Sequence, residues 1–181
     1  MRVIAGTAGG RRLKEPQGES IRPTSDMVKE AVFNIIQFDI EGRKVLDLFA
    51  GTGQMGVEAL SRGAGSVAFV DRDLTSVRLI RQNLKLCGFE EGASVYARDA
   101  LTYLKRCEPF DIILMDPPYK SELAAAAVAR IIEFDKLNVN GIIICETRAD
   151  MRSPEAALPY VLQKEYRYGQ VKIARYERRE T

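Results

Sequence analysis

Short apolar segments alternate along this chain with segments of helical period. The most apolar ones, 111–115 and 141–145, have the continuous apolar character of strands that are buried on both faces. Strand–helix repeats with short links predict a mostly parallel sheet covered by helices on both sides. The sequence therefore predicts an α/β fold, and its 181 residues suit one such domain with a sizeable core.

The predicted elements follow from period and from Gly, Pro and capping residues. Thr24 or Ser25 caps a first helix that begins near residues 23–26 and carries an apolar stripe of Val28, Val32, Phe33 and Ile36. Five strands are predicted at 44–49, 66–70, 93–97, 111–115 and 141–145. Further helices are predicted at 54–62, 74–86, 100–106 and 121–134.

The two ends of the chain carry alternating patterns that predict hairpins. Residues 2–5 and 11–14 flank a glycine-rich turn and predict a small N-terminal β-hairpin. Residues 160–166 and 170–176 alternate around Tyr168-Gly169 and predict a hairpin that adds an antiparallel edge to the sheet. We place the organisational boundary near residue 22, between a basic arm at 1–22 and an α/β body at 23–181.

Composition excludes several classes of chemistry. The chain has no histidine, which removes the commonest general base, the Ser-His-Asp triad and most zinc sites. Its three cysteines are isolated, as buried thiols of a reducing cytoplasm would be, and no metal site is predicted. The N-terminus lacks an apolar signal region, and no apolar run reaches about 18 residues. We therefore expect a cytoplasmic protein.

Charge is distributed unevenly although the net charge is only +2. Residues 1–29 and 160–181 each carry a surplus of three positive charges, and the middle is acidic. Basic ends indicate contact with a polyanion, and a solvated mixed surface would account for the same charges. The candidate RNA-binding residues are Arg11, Arg12, Lys14 and Arg22 of the arm and Thr24, which follows it.

A glycine-rich loop follows the first predicted strand. Gly51, Gly53 and Gly56 match the G-x-G-x-x-G pattern, in which glycines allow a tight turn and let a ligand approach the backbone. The pattern alone also fits a dinucleotide-binding dehydrogenase or a purely structural turn. Asp47 favours a different ligand, because a carboxylate beside the loop would repel a pyrophosphate and attract an amino group. The methionine part of S-adenosylmethionine carries such a group.

Two more aspartates follow predicted strands at the same edge of the sheet. Asp71 comes 18 residues after Gly53 and could bind ribose hydroxyls with either kind of ligand. Asp99 could accept a hydrogen bond from an adenine amino group, cap the next helix, or do both. Open α/β sheets bind ligands at the carboxyl ends of their strands, which favours ligand roles for both residues.

The tetrapeptide Asp116-Pro117-Pro118-Tyr119 follows the fourth predicted strand. The two prolines stiffen the backbone and remove two N–H donors, so the loop presents acceptors and one aromatic face. Such a site suits a planar base whose exocyclic amine must be held. A rigid turn with Tyr119 packed on the core is the alternative, which the neighbouring glycine loop disfavours because both signals fall on one crevice.

Several segments resemble one family. The tetrapeptide resembles the catalytic motif of amino-directed methyltransferases, which modify adenine N6, cytosine N4 or guanine N2. The chain as a whole is similar to the RsmD family, bacterial 16S ribosomal RNA guanine-N2 methyltransferases. The resemblance covers residues 1 to about 148, and its segments are 2–6, 10–13, 22–24, 26–30, 33–34, 47–53 and 58–63.

The resemblance implies a Rossmann-like, S-adenosylmethionine-dependent methyltransferase fold with a seven-stranded sheet. It implies guanine N2 as the target, guanosine 966 in the family, in a 30S subunit or assembly intermediate, with the enzyme acting as a monomer. The candidate catalytic residues are Asp116, Pro117, Pro118 and Tyr119. The candidate donor-binding residues are Asp47, Phe49, Ala50, Gly51, Thr52, Gly53, Gly56, Asp71, Arg72, Asp99 and Ala100.

The residues leave other functions open. An adenine-N6 methyltransferase would use the same tetrapeptide, and a non-catalytic RNA-binding assembly factor would retain the same fold. A nicotinamide oxidoreductase is the least favoured alternative, because of Asp47. For the methyltransferase we expect Asp116 and the Pro117 carbonyl to accept the two N–H bonds of the target amine while Tyr119 stacks on the base. No histidine is needed, since the nitrogen loses its proton after alkylation.

Overall fold

The computed structural model describes residues 1–16, 25–118 and 122–180. The helices are α1 (Asp26–Ile35), α2 (Gln54–Ser61), α3 (Leu74–Cys87), α4 (Ala100–Leu104) and α5 (Leu123–Glu133). The strands are β1 (Lys44–Leu48), β2 (Ser66–Asp71), β3 (Ala93–Ala97), β4 (Phe110–Met115), β5 (Leu137–Arg148), β6 (Tyr160–Tyr168) and β7 (Val171–Arg178). Each strand and helix predicted for the α/β body is present, with small shifts at most ends.

Seven strands form one sheet in the order β3-β2-β1-β4-β5-β7-β6. The first five are parallel, and β7 pairs antiparallel with both β5 and β6. The predicted mostly parallel, seven-stranded sheet with an antiparallel C-terminal edge is therefore confirmed. Strand order reverses between β1 and β4, and the crevice outside such a switch point is where open α/β sheets bind ligands.

Side-chain alternation along the strands builds a core on each face of the sheet. Val45, Ile112 and Ile144 face one core with Val32 and Val57 of α1 and α2. On the other face, buried side chains of the sheet pack against α4 and α5; they include Leu46, Ile113, Ile143, Leu104 and Val128. The apolar stripe predicted for α1 is buried, and Ser25 caps the helix by accepting a hydrogen bond from the Val28 N–H.

Strand β5 is the largest departure from the predicted elements. It has 12 residues where the sequence pattern predicts only 141–145. At its start Leu137 pairs with Phe110 across a register shift, and at its end Glu146, Thr147 and Arg148 pair with β7. These added residues are mostly polar, so their strand conformation comes from partners that local sequence does not reveal.

The N-terminal segment forms an antiparallel bridge rather than two full strands. Arg2 bridges Arg12, and the Val3 N–H donates to the Arg11 carbonyl at 2.9 Å. Val3, Ala8 and Leu13 are buried in the same core as α1 and α2. Residues 1–16 are thus packed on the α/β body, while the arm boundary near residue 22 lies outside the described residues and stays a prediction.

The carboxylate of Glu58 holds this segment on α2. Glu58 is fully buried and accepts hydrogen bonds from the Ile4 N–H at 2.7 Å and the Ala5 N–H at 3.0 Å. It also pairs with Arg62 at 2.7 Å. Because a buried charge is tolerated only when it is well paired, these bonds fix the segment's position against the helix.

Within the described ranges, none of the helices is both long enough and apolar enough to cross a membrane.

Candidate active site

Acidic side chains from adjacent strands meet at the carboxyl-end edge of the sheet. They line a cleft of about 1410 Å³ and a smaller cavity of about 110 Å³, which share Phe49, Gly51, Asp116 and Glu146. Asp71 and Asp99 lie in the cleft, and Asp47 lies in the smaller cavity. The fold thus brings Asp71 and Asp99 to one cleft and Asp47 to a cavity that shares four residues with it, while their roles toward a ligand stay predictions.

The loop between β1 and α2 has a backbone that few side chains would allow. Gly51 and Gly53 have φ angles of 52° and 75°, in the left-handed region, and Phe49 between β1 and the loop has a φ of 67°. A Cβ on Gly56 would lie 2.2 Å from the ring of Phe69, so only glycine lets α2 pack this closely on β2. Phe49 and Gly51 line both hollows, and the small residues Ala50 and Thr52 line the smaller cavity.

Asp47 organises this loop. Its buried carboxylate accepts a hydrogen bond from the Gly56 N–H at 2.8 Å, which ties the first turn of α2 to β1. Burial raises the pKa of Asp47 from 3.8 to about 7, against the lowering effect of that hydrogen bond. Asp47 therefore has a structural contact that the sequence did not predict, and its predicted role toward an amino group stays a prediction.

The raised pKa of Asp47 predicts a pH-dependent contribution to stability. The folded state holds the proton more tightly than the unfolded chain, so this contribution is complete below about pH 4 and lost as pH rises through about 7. Asp47→Asn should keep the Gly56 contact through its amide oxygen and stay neutral at every pH. We expect its free energy of unfolding, relative to the wild type, to improve between pH 5 and pH 8. Denaturant titrations at both pH values test this, and a constant difference would contradict it.

Asp71 supports the loop from the neighbouring strand. Its carboxylate accepts hydrogen bonds from the Gly51 N–H at 2.8 Å and from the Asp73 N–H at 2.9 Å. Asp73 in turn caps α3. Each carboxylate oxygen has a further lone pair, so Asp71 can still accept from a ligand hydroxyl in the cleft. Arg72 beside it is exposed and also lines the cleft.

Asp99 caps α4 by accepting a hydrogen bond from the Thr102 N–H at 2.9 Å. Asp99 and the buried Ala100 both line the cleft. The capping alternative is thus observed, and it is compatible with the predicted ligand role because only one carboxylate oxygen is used in the cap.

Asp116, Pro117 and Pro118 continue directly from the carboxyl end of β4 and line the cleft. Asp116 is half-buried, Pro117 is buried and Pro118 is exposed. Asp116 also lines the smaller cavity together with Asp47. Tyr119 lies outside the described residues, so its predicted stacking role stays a prediction.

Glu146 is a site residue that the sequence analysis missed. It is 6 % exposed, lies near the carboxyl end of β5 and lines both hollows.

The pKa of the neighbouring Cys145 thiol shows that two carboxylates lie near it. Burial chiefly raises this pKa to about 12, and the charges of Asp116 and Glu146 add to the effect. A signal was available: Glu146 ends an apolar run as Asp116 does.

A lysine and a glutamine near the smaller cavity were also missed. Gln54, the first residue of α2, lines the cavity, and the buried Lys29 Nζ lies 3.4 Å from its amide oxygen. Lys29 also donates to the Arg2 carbonyl, and burial lowers its pKa. The sequence did not predict the contact between Lys29 and Gln54, because the two residues lie on different helices and match no motif.

Three of the candidate RNA-binding residues lie in the described N-terminal segment. Arg11, Arg12 and Lys14 are exposed, and Lys14 lines the cleft. The Asn83 side chain accepts from the Lys14 N–H at 2.8 Å and donates to the carbonyl of Thr52, itself buried in the glycine loop, at 3.1 Å. One side chain thus connects arm and loop. Arg22 and Thr24 lie outside the described residues.

Comparison with known proteins identifies the family. Residues 1–177 match the family described as "Conserved hypothetical protein 95". Ribosomal RNA small subunit methyltransferase D from Haemophilus influenzae is 36 % identical, over 98 % of this chain and 93 % of its own length. The chain belongs to the RsmD family. The resemblance found in the sequence is confirmed, and it extends through the C-terminal hairpin.

Two further relatives of this RsmD family member cover almost the whole chain. YlbH from Bacillus subtilis, provisionally named an rRNA methyltransferase, is 40 % identical over 99 % of this chain and 100 % of its own. The structure of yhhF from Escherichia coli, provisionally named a methyltransferase, superposes with a TM-score of 0.90 at 28 % identity, covering 99 % of this chain and 98 % of its own. The fold is therefore shared along its full length.

Proposed function

We propose that this protein methylates the exocyclic N2 amine of a guanine in 16S rRNA, using S-adenosylmethionine as the donor. The substrate would be a 30S subunit or an assembly intermediate, with guanosine 966 as the target and the protein acting as a monomer. The observation that carries the proposal is the convergence of Asp116 and the glycine loop on one cleft. The names of its relatives support ribosomal RNA as the substrate.

The residues of the cleft fit this donor. Asp71 and Asp99 present carboxylate oxygens at the ends of neighbouring strands, where the hydroxyls and amino group of an adenosine could donate. Phe49 and Gly51 of the loop line both hollows, Ala50 and Thr52 line the smaller cavity, and Gly53 lines neither. The donor, when bound, supplies an activated methyl group on sulfur.

The role of Asp116 follows from the chemistry of the acceptor. An exocyclic amine on a purine is a weak nucleophile because its lone pair is delocalised into the ring. We infer that Asp116 and the Pro117 carbonyl accept its two N–H bonds and thereby favour a nitrogen whose lone pair can attack. Tyr119 would stack on the base, a contact worth about 1–3 kcal/mol. Fixing the amine in line with the methyl group supplies much of the acceleration.

Product analysis tests the proposal directly. Small subunits from cells that lack the gene should be incubated with the protein and labelled donor, and the nucleosides should then be identified by mass spectrometry. We expect N2-methylguanosine at one position. N6-methyladenosine would instead support the adenine alternative, and the absence of any methylated nucleoside would contradict the proposal. Binding of NAD rather than S-adenosylhomocysteine would indicate the oxidoreductase.

Reversing charge on the arm should weaken RNA binding in a salt-dependent way. The double variant Arg11→Glu, Arg12→Glu removes two candidate phosphate contacts, and each lost contact lowers the slope of log affinity against log salt by about 1. The matched control is Lys105→Glu, Arg106→Glu, two exposed cations that follow α4 on the other side of the sheet. Fluorescence titrations of the small subunit at several salt concentrations measure the slope. Equal slopes for both double variants would refute the role of the arm.

A further inference from the structure

The buried carboxylate of Glu146 is unused by the chemistry described above. The side chain lies in both hollows and is only 6 % exposed. Burying a carboxylate is unfavourable unless hydrogen-bond donors reach it. A carboxylate has about four lone-pair sites, so Glu146 can accept a hydrogen bond from a ligand in the hollows in addition to its contacts within the protein.

Sheet geometry places Glu146 beside Asp116. Met115 of β4 is in register with Cys145 of β5, so the next residues of the two strands, Asp116 and Glu146, are neighbours. Side-chain alternation puts both on the same face as Ile112 and Ile144, and both line the cavity that contains Asp47. Adjacent strands are about 4.8 Å apart, a separation that lets two carboxylates reach adjacent groups on one base.

The order of the strands separates the candidate binding residues for the methyl donor from Glu146. The aspartates predicted to bind the methyl donor lie on β1 and β2 and next to β3, whereas Glu146 lies on β5. Asp116, at the end of β4, stands between the two groups. If Asp116 holds the reacting amine, Glu146 lies on the β5 side of that amine and can contact the base that carries it.

We propose that Glu146 accepts a hydrogen bond from N1–H of the target guanine and so selects guanine over adenine. This inference rests on the proposed function and specifies the base-binding part of the same site. Guanine presents N1–H directly beside its 2-amino group, so two neighbouring carboxylates match two neighbouring donors. Adenine presents an acceptor at N1 beside its 6-amino group, and its lone pair would face the carboxylate of Glu146.

Substrate exchange with Glu146→Gln tests the proposal. The substrates are small subunits whose modified guanosine is retained or is replaced by adenosine. A site built to bond N1–H should give the wild type at least about a 100-fold preference for guanosine. Glutamine can accept from guanine or donate to adenine, so Glu146→Gln should reduce this ratio at least about tenfold and form detectable N6-methyladenosine. Affinity for S-adenosylhomocysteine should stay within about threefold of the wild type.

Controls separate base selection from other effects. Glu146→Asp retains the charge, so it should lose rate yet keep the preference. A loss of the preference in Glu146→Asp would contradict the proposal even if Glu146→Gln fails to fold. Glu165→Gln neutralises a carboxylate on β6 that lines neither hollow, and it should match the wild type.

An unchanged preference in Glu146→Gln would overturn the proposal. So would a large loss of S-adenosylhomocysteine affinity with the preference intact, because that result would assign Glu146 to the donor. If the wild type itself forms no N2-methylguanosine, the proposed function fails first, and that failure is visible before any variant is compared.

Discussion

Asp116→Ala should slow the methyl-transfer step by about 100- to 1000-fold, the range seen when one preorganised polar contact to a reacting group is removed. The half-buried carboxylate stands where the cleft and the smaller cavity meet, at the end of the rigid strand β4. Without it the amine would keep one of its two acceptors, the Pro117 carbonyl, and would be positioned less well.

Single-turnover experiments isolate this effect from product release. Enzyme in excess over small subunits, with labelled S-adenosylmethionine, gives the rate of transfer, and calorimetric titration with S-adenosylhomocysteine gives the affinity for the methyl donor separately. Asp116→Asn retains one acceptor oxygen and should lie between alanine and the wild type. Asp150→Ala removes an exposed carboxylate that pairs with Arg148, and it should not change the rate. A rate for Asp116→Ala close to that of the wild type would remove Asp116 from the mechanism.

The sequence predicted those residues of the candidate site that lie at or directly after the carboxyl ends of predicted strands. Apolar runs locate the buried strands, and in a parallel sheet the residues after them share one edge. Asp47, Asp71, Asp99 and Asp116 were placed together by this rule alone, and all four line the two hollows.

The missed contacts depend on long-range partners. The end of β5 is a strand because it pairs with β7, about 25 residues later, so the pattern-based boundary stopped one residue before Glu146. Asp47 was predicted only as a ligand group, since its bond to Gly56 depends on the packing of α2 on β2. The sequence did not predict the contacts of Glu58, because its partners are the backbone N–H groups of Ile4 and Ala5, more than 50 residues away.

The docking of the N-terminal segment can be tested at two glycines in similar conformations. Gly6 and Gly10 have φ angles of 82° and 81°. A Cβ on Gly6 would lie 1.8 Å from the Ser61 carbonyl oxygen, whereas a Cβ on Gly10 would meet nothing within 4 Å. Alanine therefore adds backbone strain at both positions, but it adds a clash with α2 only at position 6.

We expect Gly6→Ala to lower the free energy of unfolding by about 2–4 kcal/mol, and Gly10→Ala by about 1 kcal/mol. The larger loss arises because the Ser61 carbonyl is backbone and also accepts from the Thr7 N–H at 2.8 Å, so the segment must move away from α2. Denaturant titrations measure both losses, and proteolysis near the N-terminus reports release of the segment. Movement would also strain the link from Lys14 through Asn83 to Thr52. Gly6→Ala should therefore weaken donor binding as well, whereas equal losses in the two variants would show that Ser61 does not hold the segment.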